Sequence, residues 1–406
     1  MEKNFKKFLL LWCGQLISAI GGGLTSFGLG VYIFNQTGSA GKMAIITLIG
    51  FLPTLILSVP AGVLADKYDR RLLMMLGDGL SAMGVIFILT CLFTGNATFV
   101  NICIGVAVSS IFSSLLDPAY KATVTDLLSK EEYAKASGLV SLAGSARYLV
   151  SPLLAGLLLS VCDVSILLII DTCTFFLTVI TTFVVKKGLV AKEGDKEESA
   201  LKSLSNGWKA LSSNKGLLIL ILVSAILTLF IGVFQILAEP MVLSFADAAT
   251  LGLSETICAS GMLVSSLFLG IKGLKKNYVK ILSLSLFVAG IFILLFGLWE
   301  NVYTMCIFGF GFFLALPFAN TCLDYLVRTN IDEKLQGRVW GFIGFLSQIG
   351  YVVAYGLSGI LSDYLAKLYK VSVGRGAAMV SIASGVALAV TAILPIAIKK
   401  VRALEK

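Results

Sequence analysis

Four ionisable side chains stand inside long apolar stretches of this sequence, and their chemistry needs a reason. Asp117 follows IFSSLL, Arg147 lies in the run before SPLLAG, Asp171 follows ILLII, and Glu239 precedes Pro240. A charge near the centre of a bilayer costs roughly 2.5–3.5 kcal/mol on insertion scales, so such residues default to functional sites. The chain has no histidine, which removes the commonest general base, metal ligand and proton shuttle together. Proton handling therefore falls to carboxylates, which titrate closer to neutrality when buried. Asp117, Asp171 (with Thr172, Thr174 and Thr178 near it) and Glu239 are the candidates for binding a coupling proton or a substrate. Arg147 reads as mid-bilayer and within reach of Asp117. That pair is either a structural ion pair or one whose exchange with substrate or proton drives a cycle. Asp78 and Asp324 read as interfacial, and Glu255 and Asp363 as close to the outer surface.

The elements that position these residues are membrane spans. Hydrophobic residues make up 57% of the 406 positions and charged ones only 14%, with a mean hydropathy of +0.95; soluble domains carry about 25% charge. About 20 apolar residues cross ~30 Å of hydrocarbon as a helix. Splitting the apolar runs at polar hinges predicts twelve spans: 8–34, 43–65, 72–94, 99–122, 136–160, 164–185, 217–243, 249–271, 280–298, 302–326, 339–366 and 376–398. The runs are continuous, whereas barrel strands alternate over ~10 residues, which excludes a transmembrane β-barrel. The first run continues to Phe34, so it reads as a retained helix and not a cleaved signal.

Basic residues orient the spans. With both termini in the cytoplasm, 27 of the 32 lysines and arginines fall on the inner side and four on the outer, with Arg147 inside a span. The net charge of +9 is thus a topology signal and no nucleic-acid footprint. The eight cysteines share no metal-ligand spacing and read as small buried hydrophobes. No metal, cofactor or enzyme chemistry is expected: there is no phosphate-cradling loop and no serine elbow.

The one long polar segment, 186–215, divides the chain into 1–185 and 216–406, six spans each. A shift of 199 positions pairs Pro118 with Pro317, Leu127 with Leu326, Lys135 with Lys334, Gly138 with Gly337 and Val140 with Val339. These matches fall at equivalent hinges and predict an internal repeat.

Two six-span halves in parallel repeat resemble the major facilitator superfamily. Gly62-x-x-x-Asp66-Lys67-x-x-Arg70-Arg71 looks like its signature between spans 2 and 3. Asp69 takes the place of the usual glycine, as is similar in the macrolide-efflux-like drug:proton antiporter branch. LQGRVWG at 335–341 resembles that branch's hinge after span 10, and Ser151-Pro152 to Gly156 its span 5 motif. The second-half copy of the signature, GIKGLKKNY at 270–278, has lost the acid.

The resemblance implies an all-α polytopic fold, twelve transmembrane helices in two six-helix halves. It implies a conformational latch of Gly62, Asp66, Arg70, Arg71 and Asp126, with Arg70 meeting Asp126 and Asp66 approaching the start of span 11 near Arg338. Gly62 is expected to allow close packing, and Lys67 and Arg71 to set orientation. Phe312, Trp340 and Tyr351 are candidates to line an apolar cavity. The function expected is proton-coupled efflux of amphipathic small molecules, including drugs and antibiotics, by a monomer in the bacterial plasma membrane. A lipid or lysolipid carrier, an uptake permease, and a non-transporting receptor or scaffold are the alternatives.

Overall fold

A computed structural model of the chain describes residues 2–129, 132–186, 215–331 and 336–405. The polar segment between the halves lies outside these, apart from its ends. The described chain is helical and contains no strand. The long helices are α1 (Glu2–Thr37), α2 (Ala40–Lys67), α3 (Arg70–Phe93), α4 (Phe99–Ser113), α5 (Leu116–Leu127), α6 (Tyr133–Leu159) and α7 (Val164–Lys186). The second series is α8 (Lys215–Leu243), α9 (Ala248–Lys272), α10 (Tyr278–Phe296), α11 (Val302–Thr329), α12 (Gln336–Tyr369) and α13 (Val373–Thr391). Twelve segments among the described residues are long and apolar enough to span a membrane, with α4 and α5 together forming the fourth, 99–127. In lipid every backbone polar group needs an internal partner, and a helix supplies it from its own chain.

The ends of these helices are written in short polar signals. Thr98 starts α4 by accepting from the Asn101 amide, Asn301 caps α11, and Ser372 caps α13 through the Arg375 amide. Pro118, near the start of α5, explains why the fourth span is two helices. It has no N–H to give the carbonyl of Ser114, and the helix breaks at 114–115. Its partner in the repeat, Pro317, sits inside an uninterrupted α11.

Contacts divide the chain into two compact units: Met1–Thr37 with Ile45–Lys196, and Gly38–Ala44 with Glu197–Lys406. In the first, α1 packs on α6 and α7, and α3 on α4 and α7. One end of its core is filled by Phe8, Leu11, Leu73, Met74, Leu127 and Val185. In the second unit α9 and α10 pack on α11, and α8 on α12 and α13. There α10 and α13 meet at glycines: a Cβ on Gly290 would stand 2.5 Å from the Ala389 nitrogen, and one on Gly385 would stand 2.6 Å from the Gly290 carbonyl. Small residues let membrane helices approach this closely.

Candidate functional site

The hinge between α2 and α3 is built around Arg70. Asp69 caps α3 by accepting from the Arg71 amide at 3.0 Å, which leaves Arg70 as the first helical residue. Its guanidinium donates to Asp126 at 2.8 Å, to the Ala122 carbonyl at 3.2 Å and to the Ala65 carbonyl at 3.2 Å. Asp66 is a looser partner at 3.9 Å and largely exposed. The expected Arg70–Asp126 contact is therefore present, joining the end of α2, the start of α3 and the end of α5. Two expectations for this hinge are corrected, and a third is not described. Arg71 is not a solvated topology charge: it is 4% exposed, and its Nε has no partner among the described residues. Gly62 is no tight contact within the described residues, since a Cβ there would meet nothing within 4 Å. The expected Arg338 neighbour of Asp66 falls outside the described side chains.

Two carboxylates are fully enclosed in the first unit. Asp171 is 1% exposed, on the face of α7 that meets α1. Gly21 makes room for it, because a Cβ there would lie 2.8 Å from Asp171 Oδ1. Thr174 of α7 donates to the same oxygen at 3.5 Å. Asp78 is also 1% exposed, which corrects its expected interfacial place. Its helix α3 packs on α7, and its Oδ2 has no hydrogen-bond partner among the described residues.

Asp117 does not join them. It is exposed and bound to Lys121 at 2.7 Å, one turn along α5, so the expected pair with Arg147 is replaced by a local i, i+4 ion pair. Arg147 of α6 is exposed.

In the second unit Glu239 lies late in α8, one oxygen buried without a partner among the described residues. Glu255 of α9 is the charge that acts on it. Phe312 is 0% exposed, stacked at 4.7 Å on Phe234 and edge-on to Phe313. It fills the core. Tyr351 is half-buried beside Tyr355, ring centres 5.7 Å apart, and Tyr355 donates to Gln235 at 2.7 Å. The Trp340 side chain lies outside the described residues. Asp324 is half-exposed and paired with Arg328 at 2.9 Å.

Sequence reasoning missed a cavity of about 250 Å³ inside this unit, lined by Ser224, Asn320, Asp324 and Ser347 among apolar residues. Ser224 and Ser347 share a hydrogen bond of 2.9 Å. No ionisable residue in an improbable place marks it except Asp324; hydroxyls and amides are too common in membrane helices to stand out. Sequence reasoning placed Asp363 near the outer surface but missed its role: the carboxylate accepts from the Ser39 hydroxyl at 2.5 Å and from the amides of Ala40 and Gly41 at 3.0 Å each, capping α2 from α12. The eight cysteines are unpaired; Cys91, Cys258 and Cys322 are buried as expected, but Cys13, Cys162 and Cys173 are exposed. Among the described residues no group of acids and cysteines is arranged to hold a metal.

Twelve spans in two six-helix halves, with buried acids and a charged hinge between the second and third spans, define a carrier and not a catalyst. A model of the Major Facilitator Superfamily matches residues 11–355. The chain belongs to that superfamily, so it is a multi-pass membrane transporter with a small-molecule substrate and not an enzyme.

Among characterised relatives it resembles macrolide efflux protein A of Streptococcus pyogenes, 28% identical over 89% of this chain and 92% of that one. It also resembles the Enterococcus faecalis protein of the same name, 27% identical over 75% of this chain and 95% of that one. Among solved structures, the crystal structure of a single-substitution mutant of the nucleoside transporter NupG superposes with a TM-score of 0.79 at 13% identity, covering 96% of this chain and 99% of that one. That likeness concerns the fold alone.

Proposed function

We propose that this transporter exports amphipathic small molecules of the macrolide type, exchanging them for protons by alternating access. The similarity to a macrolide efflux protein along 89% of the chain carries the reading. The relatives come from bacteria, which supports a bacterial plasma-membrane setting. The lysine and arginine bias supports both termini being cytoplasmic. Proton exchange is supported by Asp171, enclosed in the helical bundle, and by Glu239, half-buried with one oxygen shielded, in a chain without histidine. The sequence has no nucleotide-binding loop that would let ATP supply the energy.

Arg70, Asp126 and Asp66 form the first-half part of a latch in this reading. It steadies one state of the cycle and sits on the cytoplasmic side. The protein acts as a monomer.

The test is transport by purified protein in liposomes with an acidic lumen. Radiolabelled erythromycin should accumulate in the lumen against its gradient through molecules inserted inside-out, and a protonophore should abolish the accumulation. Equilibration that ignores the pH gradient would sink proton coupling. Accumulation of lysolipid but not of erythromycin would instead support the lipid-carrier alternative.

A further inference from the structure

We propose that the cavity between α8, α11 and α12 binds the ammonium group of the substrate, with Asp324 as its counter-charge. The inference rests on the export reading above and deepens it by naming the substrate class: cationic amphiphiles with one compact amine.

Three helices of the second unit form the walls. α8 supplies Leu220 and Ser224, α11 supplies Asn320 and Asp324, and α12 supplies Gly344 and Ser347. Asn320, Asp324 and Arg328 follow one another at four-residue spacing, which puts them on one face of α11. That helix ends at Thr329, so Asn320 lies about 13 Å and Asp324 about 7.5 Å from its end along the axis. Asn320 is exposed at that depth. Lipid would leave its amide without hydrogen-bond partners, so this face of α11 belongs to a polar cavity and not to the bilayer. Leu323 and Val327, both buried, complete the wall beside it.

The polar groups of the cavity favour a cation. Ser224 and Ser347 share a hydrogen bond of 2.9 Å and so spend a hydroxyl proton on each other. Asp324 is the one ionisable residue among the described residues that line the cavity. Its carboxylate only accepts, at about four lone-pair sites, and Arg328 Nε fills one of these at 2.9 Å. A ligand that matches these walls brings N–H donors and a positive charge, with methyl or methylene groups against the leucines. The volume of about 250 Å³ falls below the roughly 300–1,000 Å³ of a pocket that encloses a drug-sized ligand. The cavity therefore takes the amine and leaves the apolar body outside, selecting for charge and not for the shape of the scaffold.

Arg328 is the competitor. It holds Asp324 from one turn along the same helix, with the two side chains 60% and 46% exposed, and ion pairs of this kind are among the weakest in proteins. An ammonium inside the cavity meets the same carboxylate between apolar walls, where water screens the attraction less. Binding thus exchanges one cation for another, and the Asp324 charge stays paired throughout.

The first half argues that the fold does not need this acid. The shift of 199 brings Asp324 onto Thr125 and Asn320 onto Lys121, and there the Thr125 hydroxyl donates to the Lys121 carbonyl at 3.0 Å. A purely structural Asp324–Arg328 pair predicts that loss of either partner has the same effect. A cation site predicts opposite effects.

Equilibrium dialysis of the purified full chain reads saturable binding directly, without a gradient. The probes are N,N-dimethylbenzylamine, a cation at neutral pH, and isobutylbenzene, its neutral isostere. Wild type should bind the amine at least tenfold more tightly than the hydrocarbon. Asp324→Asn should remove that preference, and Arg328→Gln should tighten amine binding several-fold. Gly344→Leu fills the cavity without a clash, because a Cβ on Gly344 would meet nothing within 4 Å. It should unfold at the wild-type temperature and bind the amine at least tenfold more weakly, and it decides the matter if Asp324→Asn does not fold. Any of three results overturns the site: equal binding of the two probes by wild type, undiminished amine binding in Gly344→Leu, or weaker amine binding in Arg328→Gln. If the amine binds as stated but the liposomes accumulate no erythromycin, the export reading fails and the site stands. If erythromycin accumulates while amine binding ignores both Asp324→Asn and Gly344→Leu, the site fails and the export reading stands.

Discussion

The α2–α3 hinge and the α9–α10 hinge occupy the same place in the two halves and are held in different ways. Aligned from Gly62 and Gly270, Asp69 falls on Asn277, Arg70 on Tyr278 and Arg71 on Val279, so both helices begin at the same point of the register. The repeat shift of 199 brings Asp126 onto Tyr325. The first hinge has the ion pair Arg70–Asp126; the second has Tyr278 and Tyr325 stacked with ring centres 3.6 Å apart and planes 7° from parallel. Asp69 caps α3 in an ordinary extended conformation. Asn277 takes the left-handed one, φ 63°, and makes no side-chain cap.

The repeated architecture thus needs a clamp between these helices, but not a charged one. A stacked aromatic pair serves where only rigidity is needed. An ion pair can be broken and remade as partners change, and among the described residues the first-half hinge has one where the second has the stacked tyrosines.

Arg70→Ala should break this comparison most severely. It removes a charged hydrogen bond and two carbonyl contacts and strands Asp126, a loss of about 3 kcal/mol, read by thermal unfolding. Transport of erythromycin should fall at least tenfold. Next in size is the exchange Arg70→Tyr with Asp126→Tyr, which writes the second-half clamp into the first. Aromatic stacking contributes roughly 0.5–1.5 kcal/mol beyond area burial, so stability should recover to within about 1–2 kcal/mol of wild type while transport stays low. Recovery of both would mean that the ion pair is only a clamp.

The helix caps give smaller effects. Asp69→Ala and Asp247→Ala should each destabilise by about 1 kcal/mol. Asp247, at the turn before α9, accepts from the Thr250 amide at 2.9 Å. Hydrogen bonds from Thr250 hold its carboxyl below the usual carboxylate range. Its contribution is therefore complete above the unfolded value of about 3.9 and is lost as the pH falls through the lower folded one. The stability gap between wild type and Asp247→Ala should be constant from pH 5 to 8 and close below about pH 4. Smallest is Asn277→Gly, which relieves a left-handed residue and should change stability by no more than about 0.5 kcal/mol, in the favourable direction. A loss there would mean that the Asn277 side chain holds the hinge after all.

The spans were legible because membrane crossing is a demand on local composition. The 164–185 segment, for example, is the same from apolar runs and from the structure. Arg70 with Asp126 was legible through the family signature. Asp117 with Lys121 was legible in principle, four residues apart on one helix, but the rarer mid-membrane Arg147 drew the pairing away from it. Asp78, Arg71 and Phe312 were misread for one reason. Distance along a helix gives depth in the bilayer, but when nearly all neighbours are apolar the helix has no polar face to reveal its rotation. Burial of Asp78 depends on α3 turning that residue toward α7. Burial of Phe312 depends on Phe234, 78 positions away in sequence.

By itself the sequence determined the number of spans, their division into two halves, their orientation signal and the chemical inventory. It has no histidine, few acids and a lopsided distribution of bases. These are properties of short segments, fixed by the transfer energies of side chains and backbone. Only the tertiary structure decided which acids are enclosed and which are solvated, and that Asp363 reaches Ser39 across 324 positions. Only it revealed that two tyrosines replace an ion pair at the repeated hinge. Those outcomes depend on helix rotation and packing, which are set by many weak contacts acting together and not by any one stretch of chain.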